Sequence, residues 1–233
     1  MGAVAFLSSV LSGVAGFGGA LIFLPFLVAA YGAKASVPIL TVAVFMGNAS
    51  RVYFFRRDLN LKIVGLFSLG SVPFAVLGSF VYVALPAFWI KKAIGVFLIA
   101  SVAYQRLYRP VHFRNPWLFS LLGGFSGFLS AIIGGIGPFS APFFLAFGLA
   151  KEAFVGTEAF CAAGMHLTKT IAYNRLNVLG FQELLAGILF GTIMSAGSYV
   201  AKKVLERLSR EKFLLIVETL LVLIGFTMLV QKQ

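Results

Sequence analysis

The chain has 233 residues, of which 60% are hydrophobic and only 11% are charged, and its mean hydropathy is +0.99. This balance excludes an ordinary water-soluble domain and predicts a multi-pass protein of the cell (cytoplasmic or inner) membrane. The net charge is +12, and most of the basic residues lie at the ends of apolar runs. This distribution is typical of loops facing anionic lipid and does not predict nucleic-acid binding. The single cysteine, Cys161, excludes an internal disulfide framework.

Eight apolar runs follow one another along the chain, most of them near the ~20 residues that a spanning helix needs. They predict an all-α polytopic membrane protein with about eight membrane segments joined by short connections. The runs cover residues 3–30, 36–55, 61–84, 88–107, 117–149, 153–173, 177–201 and 211–230.

The second half of the chain repeats the first at an offset of 117 positions. Ten identities fall between residues 18 and 70 and their counterparts, and they include a proline pair, Pro25 and Pro142, that a shared apolar composition does not explain. Internal similarity of this kind is typical of transporters. It predicts two tandem homologous four-segment repeats, residues 1–107 and 117–233, with a connector at 108–116.

Glycine clusters interrupt the first segment of each repeat, in "SGVAGFGGALIFLP" (12–25) and "SAIIGGIGPFSAPFF" (130–144). Broken backbone at membrane depth is tolerated only where it is buried in protein or lines a cavity, so these clusters predict the substrate site. New helices are expected to begin near Ala20 and near Phe139, with Pro138 as an early helical residue. Close helix packing through small residues is the alternative.

The distribution of basic residues favours re-entrant hairpins at the two glycine-broken segments. If all eight segments span, alternate loops carry 10 and 9 basic residues, whereas hairpins change these counts to 13 and 6. Each repeat then has three full spans, so the two repeats are inverted and both termini face outward. An uninterrupted eight-span fold with kinked first helices is the conventional alternative.

Polar and ionisable residues in the second and sixth segments predict an anion site. The stretch "MGNASRVYFFRR" is equivalent under the repeat to "GMHLTKTIAYNR". Ionisable residues inside membrane segments are costly and are therefore functional candidates, and the positive end of a broken helix also favours an anion. Snorkelling toward an interface is the alternative for the two cations. The predicted substrate-binding residues are Gly18, Gly19, Ala20, Asn48, Ser50, Arg51, Gly135, Gly137, Pro138, Thr157, His166 and Lys169.

Three residues are candidates for proton coupling: Glu158, His166 and Glu218. The two carboxylates lie in apolar runs, and a histidine can titrate near physiological pH. A structural hydrogen bond is the alternative for His166, and a helix cap is the alternative for Thr157. The sequence has no enzyme motif, no metal-ligand spacing and no phosphate loop, so we expect no enzymatic activity, no cofactor and no metal site.

The duplicated entries "GFGGALIFLPFL" and "GGIGPFSAPFFLAFG", followed by "AKASVPILT" and "AKEAFVGTEAF", resemble the TauE/SafE family of sulfite and organosulfonate exporters. The resemblance implies a secondary transporter of small sulfur-containing anions coupled to the proton gradient. Ala20 and Ile136 depart from the family's more usual glycine triplets. The residues that match its glycine–proline pattern are Gly18, Gly19, Pro25, Gly134, Gly135, Gly137 and Pro142.

The prediction is therefore an exporter of sulfite or organosulfonates that works by alternating access, with the anion bound between the two repeats. A passive small-anion channel and a non-transporting membrane scaffold are the alternatives. The expected partners are the anionic substrate, the lipid bilayer and protons as the coupling ion. A homodimer is left open.

Overall fold

The structure, a computed structural model, describes residues 1–15, 18–107, 114–149 and 151–204, together with residue 226. Within these ranges the chain forms eight α-helices and no strand, which confirms the predicted all-α fold. The helices are α1 (Gly2–Ala15), α2 (Gly19–Phe54), α3 (Leu61–Ala84), α4 (Ala87–Leu107), α5 (Leu118–Ile133), α6 (Gly137–Ala146), α7 (Lys151–Arg175) and α8 (Phe181–Val204). Four of them, α2, α3, α4 and α8, contain apolar stretches long enough to cross a membrane. The last predicted run, 211–230, lies outside the described residues except for residue 226.

Helix α2 joins two runs that the sequence analysis separated. Residues 3–30 and 36–55 were expected to be distinct segments, and the helical backbone is interrupted between them, at one residue rather than over a loop. Helix α2 consists of two helical stretches that meet at a kink at Gly32, where the backbone is not helical (φ is 75° and ψ is 166°). The Ser36 hydroxyl donates a hydrogen bond of 2.5 Å to the Gly32 carbonyl oxygen. A kink of one residue leaves the apolar composition on both sides unchanged, so hydropathy alone does not distinguish it from a loop.

Each glycine cluster lies at a junction between two helices. Gly18, with φ 97°, directly precedes α2, and Gly134, with φ 90°, directly follows α5. Glycine adopts these backbone angles readily because it has no Cβ. The following helices begin at Gly19 and Gly137, close to the expected starts, and Pro138 lies in the first turn of α6.

The chain reverses direction at both junctions. The rings of Phe125 on α5 and Phe139 on α6 are 4.9 Å apart, although a continuous helix would separate residues this far apart in sequence by ~20 Å. At the first junction, a Cβ built on Gly19 would lie 2.8 Å from the backbone oxygen of Ser8 on α1. Helix α6 therefore folds back against α5, and the start of α2 lies against α1.

Helices α3 and α5 make the closest packing contact of the fold. A Cβ added to Gly70 would collide with the backbone oxygen of Ser120, and a Cβ added to Gly123 would collide with that of Phe67. Helix α2 packs against α7 and α8, and α1 packs against α8. This arrangement encloses the starts of α2 and α6 in the interior of the bundle.

Candidate functional site

A cavity lined mostly by buried residues lies where the two helix junctions meet. A Cβ built on Gly135 would be 3.0 Å from the Cβ of Ala20, so the two junctions are in contact. The cavity volume is about 50 Å³, measured as the space open to the centres of water-sized molecules. One water needs roughly 10–15 Å³ on this measure, so the cavity has room for a small ion or a few waters. Helices α1, α2, α3, α5, α6, α7 and α8 all contribute to its walls.

Arg51 brings a positive charge to the cavity. It lies near the end of α2, and its side chain is only 8% exposed. The guanidinium donates a hydrogen bond to Oδ1 of Asn48, one turn earlier on the same helix. On the other side, its Nη1 lies 3.9 Å from Oε2 of Glu158 on α7. Arg51 is thus enclosed by protein groups, with a carboxylate as its counter-charge.

Three buried polar atoms on the cavity lining have no hydrogen-bond partner within the described part of the chain. They are Oγ of Ser126 on α5, Oε2 of Glu158 and Nδ1 of His166 on α7. Nearly all buried polar atoms in folded proteins have a partner, either in the protein or in ordered water. These atoms therefore mark the cavity as a place for a polar ligand or for water.

The starts of α2 and α6 add electropositive backbone to the same cavity. Gly18, Gly19 and Ala20 line it at the start of α2, and Gly137 and Pro138 line it at the start of α6. Neither helix start has a hydrogen bond from a capping side chain. The first amides of a helix have no intrahelical acceptor and carry a partial positive charge, which favours an anion. Proline has no amide hydrogen, and the amides of Phe139 and Ser140 donate to the Ile136 carbonyl oxygen at 2.9 and 3.1 Å, so α6 offers fewer first-turn donors than α2.

Lys169 lies beside the cavity but does not line it. Its side chain is fully buried, and its ammonium donates three hydrogen bonds to the end of α5. The acceptors are the Ser130 carbonyl oxygen at 3.1 Å, the Ser130 hydroxyl at 2.7 Å and the Gly134 carbonyl oxygen at 3.1 Å. An ammonium has three donors, so these bonds use all of them. The structure therefore gives Lys169 the role of holding the α5–α6 junction.

The cavity brings together most of the predicted site residues. The predicted residues that line it are Gly18, Gly19, Ala20, Asn48, Arg51, Gly135, Gly137, Pro138, Glu158 and His166. Ser50 lies elsewhere, and its hydroxyl donates to the Gly47 carbonyl oxygen at 2.8 Å. Thr157 accepts a hydrogen bond of 3.0 Å from the backbone amide of Asn60 and lies beyond the first turn of α7. Glu218 falls outside the described residues.

The sequence analysis missed a set of small polar lining residues. These are Ser9, Ser12, Ser126, Ser140, Ser198 and Cys161. Serine is also common where membrane helices pack closely, so its presence in an apolar run carries little functional signal. The spacing of Ser9 and Ser12, which puts both on one face of α1, is the one pattern that could have indicated a polar surface.

A family model described as "Sulfite exporter TauE/SafE" matches residues 1–228, nearly the whole chain. No curated protein and no solved structure matches the chain. The family match confirms the resemblance carried by the duplicated glycine–proline pattern.

Proposed function

The chain belongs to the TauE/SafE sulfite exporter family, and from this premise we propose that it exports small sulfur-containing anions such as sulfite or organosulfonates. The family and the long apolar helices make it a multi-pass membrane protein. We place it in the cytoplasmic (inner) membrane as a secondary transporter. The anion binds in the cavity between the two helix junctions, and access to it alternates between the two sides.

This proposal rests on one observation. Arg51 lines the same cavity as the starts of two helices that have no capping side chain. A guanidinium presents planar donors that match the oxygens of an oxyanion, and its hydrogen bonds to such a group are charge-assisted. The first-turn amides of α2 add donors, and the starts of both α2 and α6 add partial positive charge. The unpartnered atoms of Ser126 and His166 supply further polar groups at the same place. This combination suits a small oxyanion better than a cation or an apolar molecule.

The proposal includes coupling to protons through Glu158. Its carboxylate lies 3.9 Å from the Arg51 guanidinium, so an anion that reaches Arg51 competes with it directly. Displacement of the carboxylate from its cation favours proton uptake, because a buried, unpaired carboxylate is costly. His166, on the same helix, stays a second candidate for this role.

The reversal of the chain at both junctions supports the inverted-repeat arrangement. With α1 folded against α2 and α5 folded against α6, each pair can enter and leave the membrane on one side. Three full spans would then remain in each of the repeats 1–107 and 117–233, which inverts one repeat relative to the other. Alternating access would follow from rocking one repeat against the other around the anion.

Counterflow in proteoliposomes tests the proposal. Vesicles that contain the purified protein are loaded with unlabelled sulfite and diluted into labelled sulfite, with sulfoacetate, taurine, thiosulfate and sulfate as competitors. A carrier gives a transient accumulation of label above equilibrium, and the order of competition identifies the anion class. Label that only equilibrates would indicate a channel, and no uptake of label would contradict transport of sulfite.

A further inference from the structure

Two charged side chains face the cavity in the described part of the chain. Arg51 contributes a cation from α2, and Glu158 contributes a carboxylate from α7. The other titratable groups on the lining are Cys161 and His166, both also on α7. The Lys169 ammonium lies outside the lining, bound to the end of α5. The formal charges of Arg51 and Glu158 therefore cancel when both are ionised.

We infer that the protein selects monoanions over dianions and that Glu158 is the residue that imposes this selectivity. The inference rests on the proposed function, because it takes the cavity as the site that the transported anion occupies. It names the substrate class within that function: bisulfite or a small sulfonate that carries one negative charge.

The charge balance of a buried site supports this class. Uncompensated charge in a low-dielectric interior is costly. While Glu158 is ionised, a monoanion beside Arg51 leaves a net charge of −1 on the three groups, and a dianion leaves −2. A dianion leaves at least one uncompensated negative charge, even when Glu158 is protonated.

Glu158 lies close enough to Arg51 to repel any anion that binds there. Its Oε2 lies 3.9 Å from Nη1 of Arg51, and both side chains are only 8% exposed. The same oxygen accepts no hydrogen bond in the described part of the chain, and the Arg51 guanidinium, where the anion would bind, is the cation beside it. Repulsion between like charges at such distances is proportional to the ligand charge, and it is weakly screened in a buried site. The carboxylate therefore repels a dianion about twice as strongly as a monoanion.

A comparison of methanesulfonate with sulfate tests the effect of ligand charge at nearly constant ligand shape. Both are tetrahedral at sulfur and similar in size, they differ by one unit of charge, and neither titrates near neutral pH. Sulfite is unsuitable here because it interconverts between its monoanion and dianion in that range. We expect isothermal titration calorimetry on the full-length protein in nanodiscs to give methanesulfonate an affinity at least ~10-fold higher than that of sulfate, as for one uncompensated buried charge.

Two variants on one helix test the role of Glu158. Glu158→Gln removes the carboxylate while preserving its size, whereas Glu152→Gln removes an exposed carboxylate in the first turn of α7, away from the cavity. Glu158→Gln should shift the affinity ratio toward sulfate by ~10-fold or more. Glu152→Gln should keep the wild-type ratio.

The possible outcomes distinguish failure of the monoanion preference from failure of sulfite transport. Sulfate that binds the wild type as tightly as methanesulfonate overturns the inference, while the binding itself leaves the proposed function in place. Equal ratios in the two variants remove Glu158 as the selecting residue. If Glu158→Gln does not fold, the wild-type ratio still decides the preference. If the wild type binds neither anion, the inference fails, and sulfite counterflow on the same preparation tells whether the proposed function fails with it.

Discussion

At Arg51 a membrane helix carries a guanidinium into the interior of the bundle, where Asn48 and Glu158 are among its partners. The Asn48 amide oxygen accepts a hydrogen bond from it on one side, and the Glu158 carboxylate lies 3.9 Å away on the other. A charged side chain that is buried in this way is costly, and it is retained where its charge has a use. Binding of an oxyanion is the use that the neighbouring helix starts favour.

Arg51→Ala should lower the affinity for the transported anion at least ~10-fold, which corresponds to ~1.4 kcal/mol or more for the loss of a charge-assisted hydrogen bond. The measurement is calorimetric titration of the purified protein with sulfite. Arg56→Ala is the matched control, because Arg56 is exposed and stacks on the Tyr53 ring, 4.8 Å from its centroid, outside the cavity. Equal affinities in the two variants would remove Arg51 from the site.

Lys169→Met should destabilise the protein rather than only weaken binding. It leaves three buried acceptors at the end of α5 without their donor, at a cost of ~2 kcal/mol or more in the free energy of unfolding. Thermal unfolding in detergent measures the effect, and Lys62→Met, at an exposed position on α3, is the control. Wild-type stability combined with a loss of anion affinity would instead make the ammonium a direct ligand.

Arg51 and Lys169 show how much the sequence can predict about the role of a single residue. Both stand out because charged residues are rare in apolar runs, so their importance could be predicted. Their roles could not be distinguished, because the acceptors of Lys169 lie 39 and 35 positions away on another helix. The cavity serines were missed for a related reason: a hydroxyl that faces a ligand and one that packs against a neighbouring helix look alike in sequence.

At the scale of the helices, two kinds of glycine perform different tasks. Gly18 and Gly134 have positive φ at the junctions where the chain reverses. Gly70 and Gly123 are helical and let α3 and α5 approach each other closely. Clusters such as "GFGG" predict a helix junction, because several residues with low helix propensity are adjacent in the sequence. A single glycine, such as Gly32 at the kink of α2, has no surrounding sequence pattern from which its structural role could be predicted.

A pair of substitutions on α3 tests the close packing against α5. Gly70→Ala should destabilise the protein by roughly 1–3 kcal/mol, because its Cβ would collide with the backbone of Ser120 and force the helices apart. Gly65→Ala is the control on the same helix, where an added Cβ meets no atom within 4 Å, and it should stabilise the helix by ~0.5–1 kcal/mol. Thermal unfolding that places both variants on the same side of the wild type would contradict the packing described for α3 and α5.

For the molecule as a whole, the span arrangement that we propose rests on the two helix reversals together with the basic loops. The inverted arrangement puts both termini outside and the loop between α2 and α3, with Arg56 and Arg57, inside. In a Cys161→Ala background, a cysteine added after Gln233 should therefore react with an impermeant maleimide on intact cells. Asp58→Cys, at an exposed position in the basic loop, should react only after permeabilisation. The opposite labelling pattern would contradict this orientation.

A single flux measurement can show whether the protein couples the movement of a sulfur-containing anion to a proton gradient, as we propose. Labelled sulfite is offered to proteoliposomes that contain the purified protein, with and without an imposed pH gradient, and Arg51→Ala vesicles serve as the comparison. We expect the wild type to accumulate sulfite above equilibrium, this accumulation to collapse when the gradient is dissipated, and Arg51→Ala to lose most of it. Accumulation that never exceeds equilibrium and does not respond to the gradient would contradict coupled transport, and the same flux in wild-type and Arg51→Ala vesicles would contradict the site.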